Sequence, residues 1–120
     1  MNWKTLFTFA LAAWIAMGSA FAHAQIDHAD PKVGSKVKMP PKEVRIWFTE
    51  KLEPAFSKVT VLDANGKQVD QGDSHVDSKD PTLLVVSLPQ LGNGTYKVKW
   101  RVTSVDSHKT EGDFTFQVGS

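Results

Sequence analysis

Apolar and polar residues alternate in short blocks along most of the chain beyond residue 40. Residues 44–48, 59–61, 96–102 and 114–118 each place an apolar side chain at every second position. A period of two is typical of β-strands that have one buried and one solvated face. A fifth block, residues 83–88, is almost continuously apolar and predicts a strand covered on much of both faces.

Turn signals separate these blocks. They are Met-Pro-Pro at 39–41, Asp-Ala-Asn-Gly at 63–66, Asp-Pro at 80–81 and Leu-Gly-Asn-Gly at 91–94. Each of these residue types favours a turn through its own backbone preferences. No amphipathic helical segment of useful length lies between the blocks. The pattern predicts an all-β fold, an immunoglobulin-like Greek-key β-sandwich of about seven strands.

Two local features refine this prediction. Tyr96 follows Gly94 at the start of a predicted strand, a position that favours the tyrosine corner found in such sandwiches. Residues 69–81 form the longest polar loop, in which we expect a short strand around Val69.

The first 22 residues have the pattern of a secretory signal. Lys4 is followed by an apolar run at 6–17 and by small residues at 18–22. The run is too short for a stable membrane anchor, which needs about 20 residues. We therefore expect residues 1–22 to be removed and residues 23–120 to form one domain. A competing cut after Ala24 also fits the small-residue rule and would remove His23.

Charge and cysteine content exclude several kinds of function. Lys4 is the only charged residue before His23, so the mature chain has 13 basic and 13 acidic side chains and no formal net charge. The lysines are spaced along the sequence, which argues against nucleic acid or an anionic membrane surface as a partner. Because the apolar run is expected to be removed with the signal, we expect no membrane insertion after cleavage. The absence of cysteine excludes disulfides, a zinc ribbon and a type 1 copper site.

One set of residues has the chemistry of a metal site. Asp106 and His108 are two residues apart, which in an extended segment places both side chains on one side about 7 Å apart. Cleavage after Ala22 makes His23 the first residue, and its α-amine, with a pKa near 8, is a better ligand at neutral pH than a lysine amine near about 10.4. Nitrogen and oxygen donors without sulfur form a Cu(II)-type ligand set.

The two remaining histidines are weaker candidates. His28 lies among carboxylates in residues 27–31 and is a secondary candidate, although the same segment is typical of an ordinary polar strand end. His75 is interpreted as a solvated loop residue, with no ligand-spaced partner beside it.

A set of spaced residues covers nearly the whole mature chain: His23-Ala24, Asp30-Pro31, Gly34, Val44-x-Ile46-x-Phe48-x-Glu50 and Gly94-x-Tyr96-x-Val98-x-Trp100-Arg101-Val102-x-Ser104-x-Asp106-x-His108-x-x-x-Gly112-x-Phe114-x-Phe116-x-Val118. This set resembles the CopC family of periplasmic copper-binding proteins. The resemblance implies a β-sandwich with one Cu(II) per chain, bound by the amine and imidazole of His23, by Asp106 and by His108.

Two positions depart from patterns in that family. Some members hold Cu(I) in a methionine-rich loop, whereas Met39 is the single methionine of the mature chain, so that site cannot be assembled. The residue between the aspartate and the histidine is often Gly in the family and is Ser107 here. This change should leave the ligands in place.

These observations predict a periplasmic Cu(II)-binding protein for copper sequestration, transfer and tolerance, without enzymatic activity. Its expected partners are the copper ion and an inner-membrane copper transporter of the CopD type or another periplasmic copper protein. The alternative is a non-metal periplasmic interaction or chaperone-like sandwich module, in which the Asp-Ser-His turn is merely polar. Fold alone does not choose between the two.

Overall fold

A computed structural model describes residues 24–119, and this part of the chain is nearly all β. Its eight strands are β1 (Ile26–Asp30), β2 (Lys36–Val37), β3 (Glu43–Phe48), β4 (Lys58–Leu62), β5 (His75–Val76), β6 (Leu83–Ser87), β7 (Gly94–Thr103) and β8 (Lys109–Val118). The only helical element in that range is a 3₁₀ turn at Pro54–Phe56. No helix within it is long and apolar enough to cross a membrane.

The strands form two four-stranded sheets. The first sheet has the order β1-β3-β6-β5 and is antiparallel throughout. The second has the order β2-β8-β7-β4, in which only the short β2–β8 pair is parallel. Most neighbouring strands are not consecutive in the chain, so connections cross between the sheets as in Greek-key sandwiches. The predicted β-sandwich is confirmed.

The core lies between the two sheets and is built from the alternating apolar positions. Successive side chains of a strand point to opposite faces, so every second residue faces the other sheet. The block at β6 is buried at four of its five positions, as its continuous apolar pattern predicts. The buried core residues are Ala24, Ala29, Val44, Ile46, Phe48, Leu52, Val59, Val61, Leu84, Val86, Leu88, Leu91, Tyr96, Val98, Val102, Phe114, Phe116 and Val118.

The predicted tyrosine corner is present. The hydroxyl of Tyr96 donates a hydrogen bond of 2.7 Å to the backbone carbonyl of Gly92, four residues upstream. The ring packs against Phe116 with centroids 5.5 Å apart. The corner thus connects the start of β7 to the loop that precedes it.

The loop after β4 differs from its prediction. The chain around Val69 forms a single antiparallel bridge, between Leu62 and Gln68, and not a strand, and the N–H of Val69 donates to the carbonyl of Val61 at 2.9 Å. The two-residue strand of this loop is β5. The prediction was wrong because a two-residue strand has no period to detect, and pairing with β6 sets its position.

The same loop covers the outer edge of β4. The N–H of Val59 donates to the hydroxyl of Ser74, and the N–H of Val61 donates to the carboxylate of Asp70, both at 2.8 Å. Side chains therefore satisfy backbone donors that a neighbouring strand would otherwise pair.

Candidate metal centre

The turn at residues 104–108 joins β7 to β8 and carries both predicted side-chain ligands. Its first residue, Ser104, is completely buried. Backbone bonds close the turn, because the N–H of Ser104 donates to the carbonyl of His108 and the N–H of Ser107 donates to the carbonyl of Ser104, both at 2.9 Å. The N–H of Val105 donates to the carbonyl of Lys51 at 3.0 Å and fixes the turn to the segment after β3.

This turn brings Asp106 and His108 together. The Oδ1 atom of Asp106 lies 3.1 Å from the Nδ1 atom of His108, and both side chains are about half exposed. The hydroxyl of Ser104 donates a hydrogen bond to the same Oδ1 atom. This bond is the main cause that lowers the pKa of Asp106 below its ordinary value of 3.8, and the neighbouring His108 lowers it further. The carboxylate is therefore ionised at neutral pH.

The spacing of the two donor atoms fits a shared metal ion. Two ligand atoms that each lie about 2.0 Å from an ion and about 3.1 Å from each other subtend an angle of about 100°. That angle is close to the right angle between neighbouring ligands in the tetragonal geometry of Cu(II). Without a metal, the same contact is a hydrogen bond in which the imidazole N–H donates to the carboxylate.

The described chain begins beside this turn. Ala24 is completely buried, and its carbonyl accepts a hydrogen bond of 2.9 Å from the hydroxyl of Thr110, two residues after His108. Two hydrogen bonds join Gln25 to Thr49. The N–H of Gln25 donates to the side-chain oxygen of Thr49, and the backbone N–H of Thr49 donates to the carbonyl of Gln25. His23, the remaining predicted ligand, lies outside the described residues.

Within residues 24–119, no three or more His, Asp or Glu side chains come together in a group that could hold a metal ion. Asp106 and His108 are thus a pair of donors. A complete site on this pair needs donors from elsewhere, and the assignment of His23 to it stays a prediction.

His75 has a partner that the sequence interpretation missed. Asp73-Ser74-His75 has the same spacing and the same residues as the tripeptide at 106–108, so the statement that His75 lacks a ligand-spaced neighbour was wrong. Here, however, the Asp73 carboxylate accepts a bond of 2.8 Å from the N–H of Ser87, and Nδ1 of His75 lies 2.7 Å from the carbonyl of Asp73. The carboxylate of Asp73 and the imidazole of His75 thus contact different backbone groups.

His28 belongs to a different environment, on the outer face of the first sheet. Its ring stacks on Trp47 with centroids 4.2 Å apart, and its Nδ1 lies 2.6 Å from the carboxylate of Asp27. The guanidinium of Arg45 lies 4.9 Å from the centre of the same indole. The register that places His28 opposite Trp47 depends on an irregularity between Ile26 and His28, which no residue pattern in the sequence reveals.

Comparison with known proteins agrees with this fold. The CopC domain model matches residues 26–119. Protein YobA of Escherichia coli K12 is 34% identical over 101 residues, covering 83% of this chain and 82% of that protein. Copper resistance protein C of Xanthomonas campestris pv. juglandis is 32% identical over 116 residues, covering 90% and 89% of the two chains.

A solved structure gives the same result. The crystal structure of CopC from Methylosinus trichosporium OB3b superimposes with a TM-score of 0.72 at 35% identity, covering 81% of this chain and 94% of that one. The fold is therefore that of a small β-sandwich whose relatives include copper resistance proteins. The chain belongs to the CopC family, which confirms the resemblance noted in its sequence.

Proposed function

We propose that the mature chain is a periplasmic Cu(II)-binding protein that sequesters copper, transfers it and contributes to copper tolerance. The observation that carries the proposal is the 3.1 Å approach of Asp106 Oδ1 to His108 Nδ1 on a closed turn. Family membership supports copper as the ion, because a relative that covers nine-tenths of this chain is named copper resistance protein C. No enzymatic activity is proposed.

The proposed site binds one ion through four donors. They are the α-amine and imidazole of His23, the carboxylate of Asp106 and the imidazole of His108. Consecutive α-carbons are about 3.8 Å apart, so the donors of His23 start next to Ala24. The carbonyl of Ala24 is bonded to Thr110, close to the ligand turn. This proximity supports His23 as the source of the missing donors.

The residues of the turn have different roles in the proposed site. Ser104 holds one oxygen of Asp106 and keeps the carboxylate ionised, as its lowered pKa indicates. Asp106 and His108 would hold copper through their oxygen and nitrogen atoms, and binding would release protons because metal ligands must be deprotonated. An anionic carboxylate with nitrogen donors favours Cu(II) over Cu(I), and the single methionine of the mature chain offers no thioether cluster for the reduced ion.

Location and partners follow from the proposed processing. Cleavage after Ala22 would release the domain into the periplasm and free the amine of His23. Copper would then pass to or from an inner-membrane transporter of the CopD type or another periplasmic copper protein.

One experiment tests the N-terminal chelate directly. We compare a chain that starts at His23 with one that carries a single glycine before it, by competition with a copper chelator and by the d–d absorption of Cu(II). The extra residue converts the amine of His23 into an amide, so we expect a loss of at least about 100-fold in affinity. Equal affinities would exclude the N-terminal site, and failure of both chains to bind one equivalent would exclude the copper function.

A further inference from the structure

The outer face of the second sheet is rich in cations. We name it the basic face and define it by the outward side chains of β2, β4, β7 and β8. Six of them are cations and two are carboxylates, a formal charge of +4: Lys36, Lys58, Lys97, Lys99, Arg101, Lys109, Glu111 and Asp113. Lys58 lies directly opposite Arg101, and like charges in this position destabilise a sheet.

The cations of the basic face are not neutralised by close ion pairs. Throughout residues 24–119, none of these six side chains has a carboxylate oxygen within 4.0 Å. Glu111 and Asp113 are opposite Arg101 and Lys99 in the β7–β8 register but do not reach them. The positive charge of this face is therefore available to an outside group.

The outer face of the first sheet has the opposite charge. We name it the acidic face and define it by the outward side chains of β1 and β3 and by residues 73–80 beside β5 and β6. Its six carboxylates outnumber its two cations, a formal charge of −4: Asp27, Asp30, Glu43, Asp73, Asp77, Asp80, Arg45 and Lys79. Two close pairs lie within this face, Arg45 with Glu43 at 3.5 Å and His28 with Asp27 at 2.6 Å.

The fold brings together on one face lysines that are spaced along the sequence. Alternation sends every second strand residue outward, and the two sheets turn their outer faces in opposite directions. Spacing along the sequence does not show this, because strands of the first sheet separate β2, β4 and β7 of the basic face along the chain. The mature chain thus has two oppositely charged faces although its formal net charge is zero.

We propose that the basic face of one copy docks on the acidic face of a second copy. The equal and opposite charges of the two faces provide the complementarity, and a net charge near zero removes the long-range repulsion between copies. Nucleic acid or an anionic membrane fits less well, since Glu111 and Asp113 interrupt the positive surface. The contact joins different faces, so each copy retains one unpaired face and assembly proceeds head to tail.

The size of the face predicts a weak contact. Ten residues span about 33 Å, and four strands at about 4.8 Å spacing are less than about 20 Å wide. The area is therefore at most about 600 Å² per copy, below the about 800 Å² per partner of a standard stable complex. We expect a transient association that depends on low salt.

Charge reversal on each face tests the proposal by sedimentation. At about 10 mM salt, where the screening length is about 30 Å, the average mass of the wild-type chain should rise with protein concentration. At about 1 M salt, where the screening length is about 3 Å, the chain should be monomeric. Lys97→Glu with Lys99→Glu, and Asp30→Lys with Glu43→Lys, should each be monomeric alone. A mixture of the two should form a 1:1 dimer, because each variant keeps one native face.

Two controls separate the charge pattern from total charge. The fourfold variant that combines both pairs has no net charge change and should be monomeric. Lys38→Glu with Lys67→Glu places the same charge change as the first pair outside both faces. It should associate more strongly than that pair, because both faces are intact, although its net charge of −4 weakens association relative to the wild type. A wild-type chain that is monomeric at low salt, a fourfold variant that associates, or a mixture without dimers would each overturn the proposal. Copper-free and copper-loaded protein should behave alike, so the result is independent of the proposed copper site.

Discussion

The chain contains the tripeptide Asp-Ser-His twice, and the two copies have different geometries. At 106–108 the carboxylate and the imidazole approach to 3.1 Å. At 73–75 the carboxylate accepts from the N–H of Ser87, and the imidazole contacts a backbone carbonyl. The first copy closes a tight hairpin turn, whereas the second leads into β5 and covers strand edges. The comparison teaches that the surrounding backbone, and not the tripeptide, creates the pair of donors.

The residue two positions before each aspartate contributes to this difference. In the hairpin turn it is Ser104, which is buried and donates to Asp106. In the loop it is Gln71, whose backbone N–H donates to the carbonyl of Ser87. The loop therefore has no buried hydroxyl in the position that orients the carboxylate of the turn.

Acid should have the largest effect on copper affinity, because it protonates the nitrogen donors before the carboxylates. The pKa values of Asp106 and Asp73 are both lowered from 3.8, so both carboxylates stay ionised at pH 5. The stability that each carboxylate contributes is lost only when the pH falls through its lowered pKa. Amine and imidazole donors bind protons below about pH 8 and 6.5 in short peptides. Copper affinity should thus fall at least about 100-fold between pH 7 and 5. Chelator competition measures the fall, and circular dichroism should show an unchanged fold.

A flat affinity over that range would point to a site made of carboxylates. The carboxylate-rich acidic face would then be the first place to search, with Asp73 and Asp80 replaced in turn.

Removal of the imidazole should have a large effect at one tripeptide only. His108→Ala should weaken Cu(II) binding by more than about 100-fold, because loss of a direct ligand exceeds the 10- to 100-fold effect of outer partners. His75→Ala is the matched control and should leave both affinity and the d–d spectrum unchanged. The reverse result would place the site in the loop.

Removal of the buried hydroxyl should weaken the site without removing a ligand. Ser104→Ala leaves Asp106 free to turn and raises the pKa of its carboxyl toward 3.8, and we expect a loss of about 10-fold in copper affinity. Ser74→Ala is the control in the loop, where the hydroxyl accepts from the N–H of Val59. It should lower the unfolding free energy by about 1 kcal/mol and spare copper binding. Equal copper affinities for wild type and Ser104→Ala would argue against the orienting role.

Replacing the middle serine of each tripeptide with glycine should change the unfolding free energy in opposite directions. These are the smallest effects that we expect. Ser107 has a φ of +74°, in the left-handed region that glycine adopts without strain, whereas Ser74 does not have a positive φ. Ser107→Gly should be neutral or raise the unfolding free energy by less than about 1 kcal/mol, and Ser74→Gly should lower it. Urea denaturation of the two variants measures both shifts. A destabilised Ser107→Gly would mean that the serine side chain contributes more than its backbone strain costs.

The comparison also shows which features a sequence reveals. The alternation at β3, β4, β7 and β8 predicted their positions, because a period of two sustained over several residues is typical of a strand with one buried face and does not match the helical period. The strands β2 and β5 are two residues long and leave no such signal. The approach of Asp106 to His108 agrees with the predicted pairing, although the chain turns there and is not extended.

Other features depend on partners that are distant in sequence. The stack of His28 on Trp47 and the bond from Thr110 to Ala24 join segments whose contact no local pattern specifies. The second Asp-Ser-His is visible in the sequence, but the sequence does not show that only the first brings its two side chains together.

The loop that covers β4 has a consequence for aggregation. An exposed strand edge is a template on which another chain can add a strand, and natural proteins block such edges. Here Ser74 and Asp70 occupy the backbone donors of Val59 and Val61. A shortened loop would leave this edge open to intermolecular β-pairing, and fibril formation during export and folding would then limit the yield of protein before any change in copper affinity became visible.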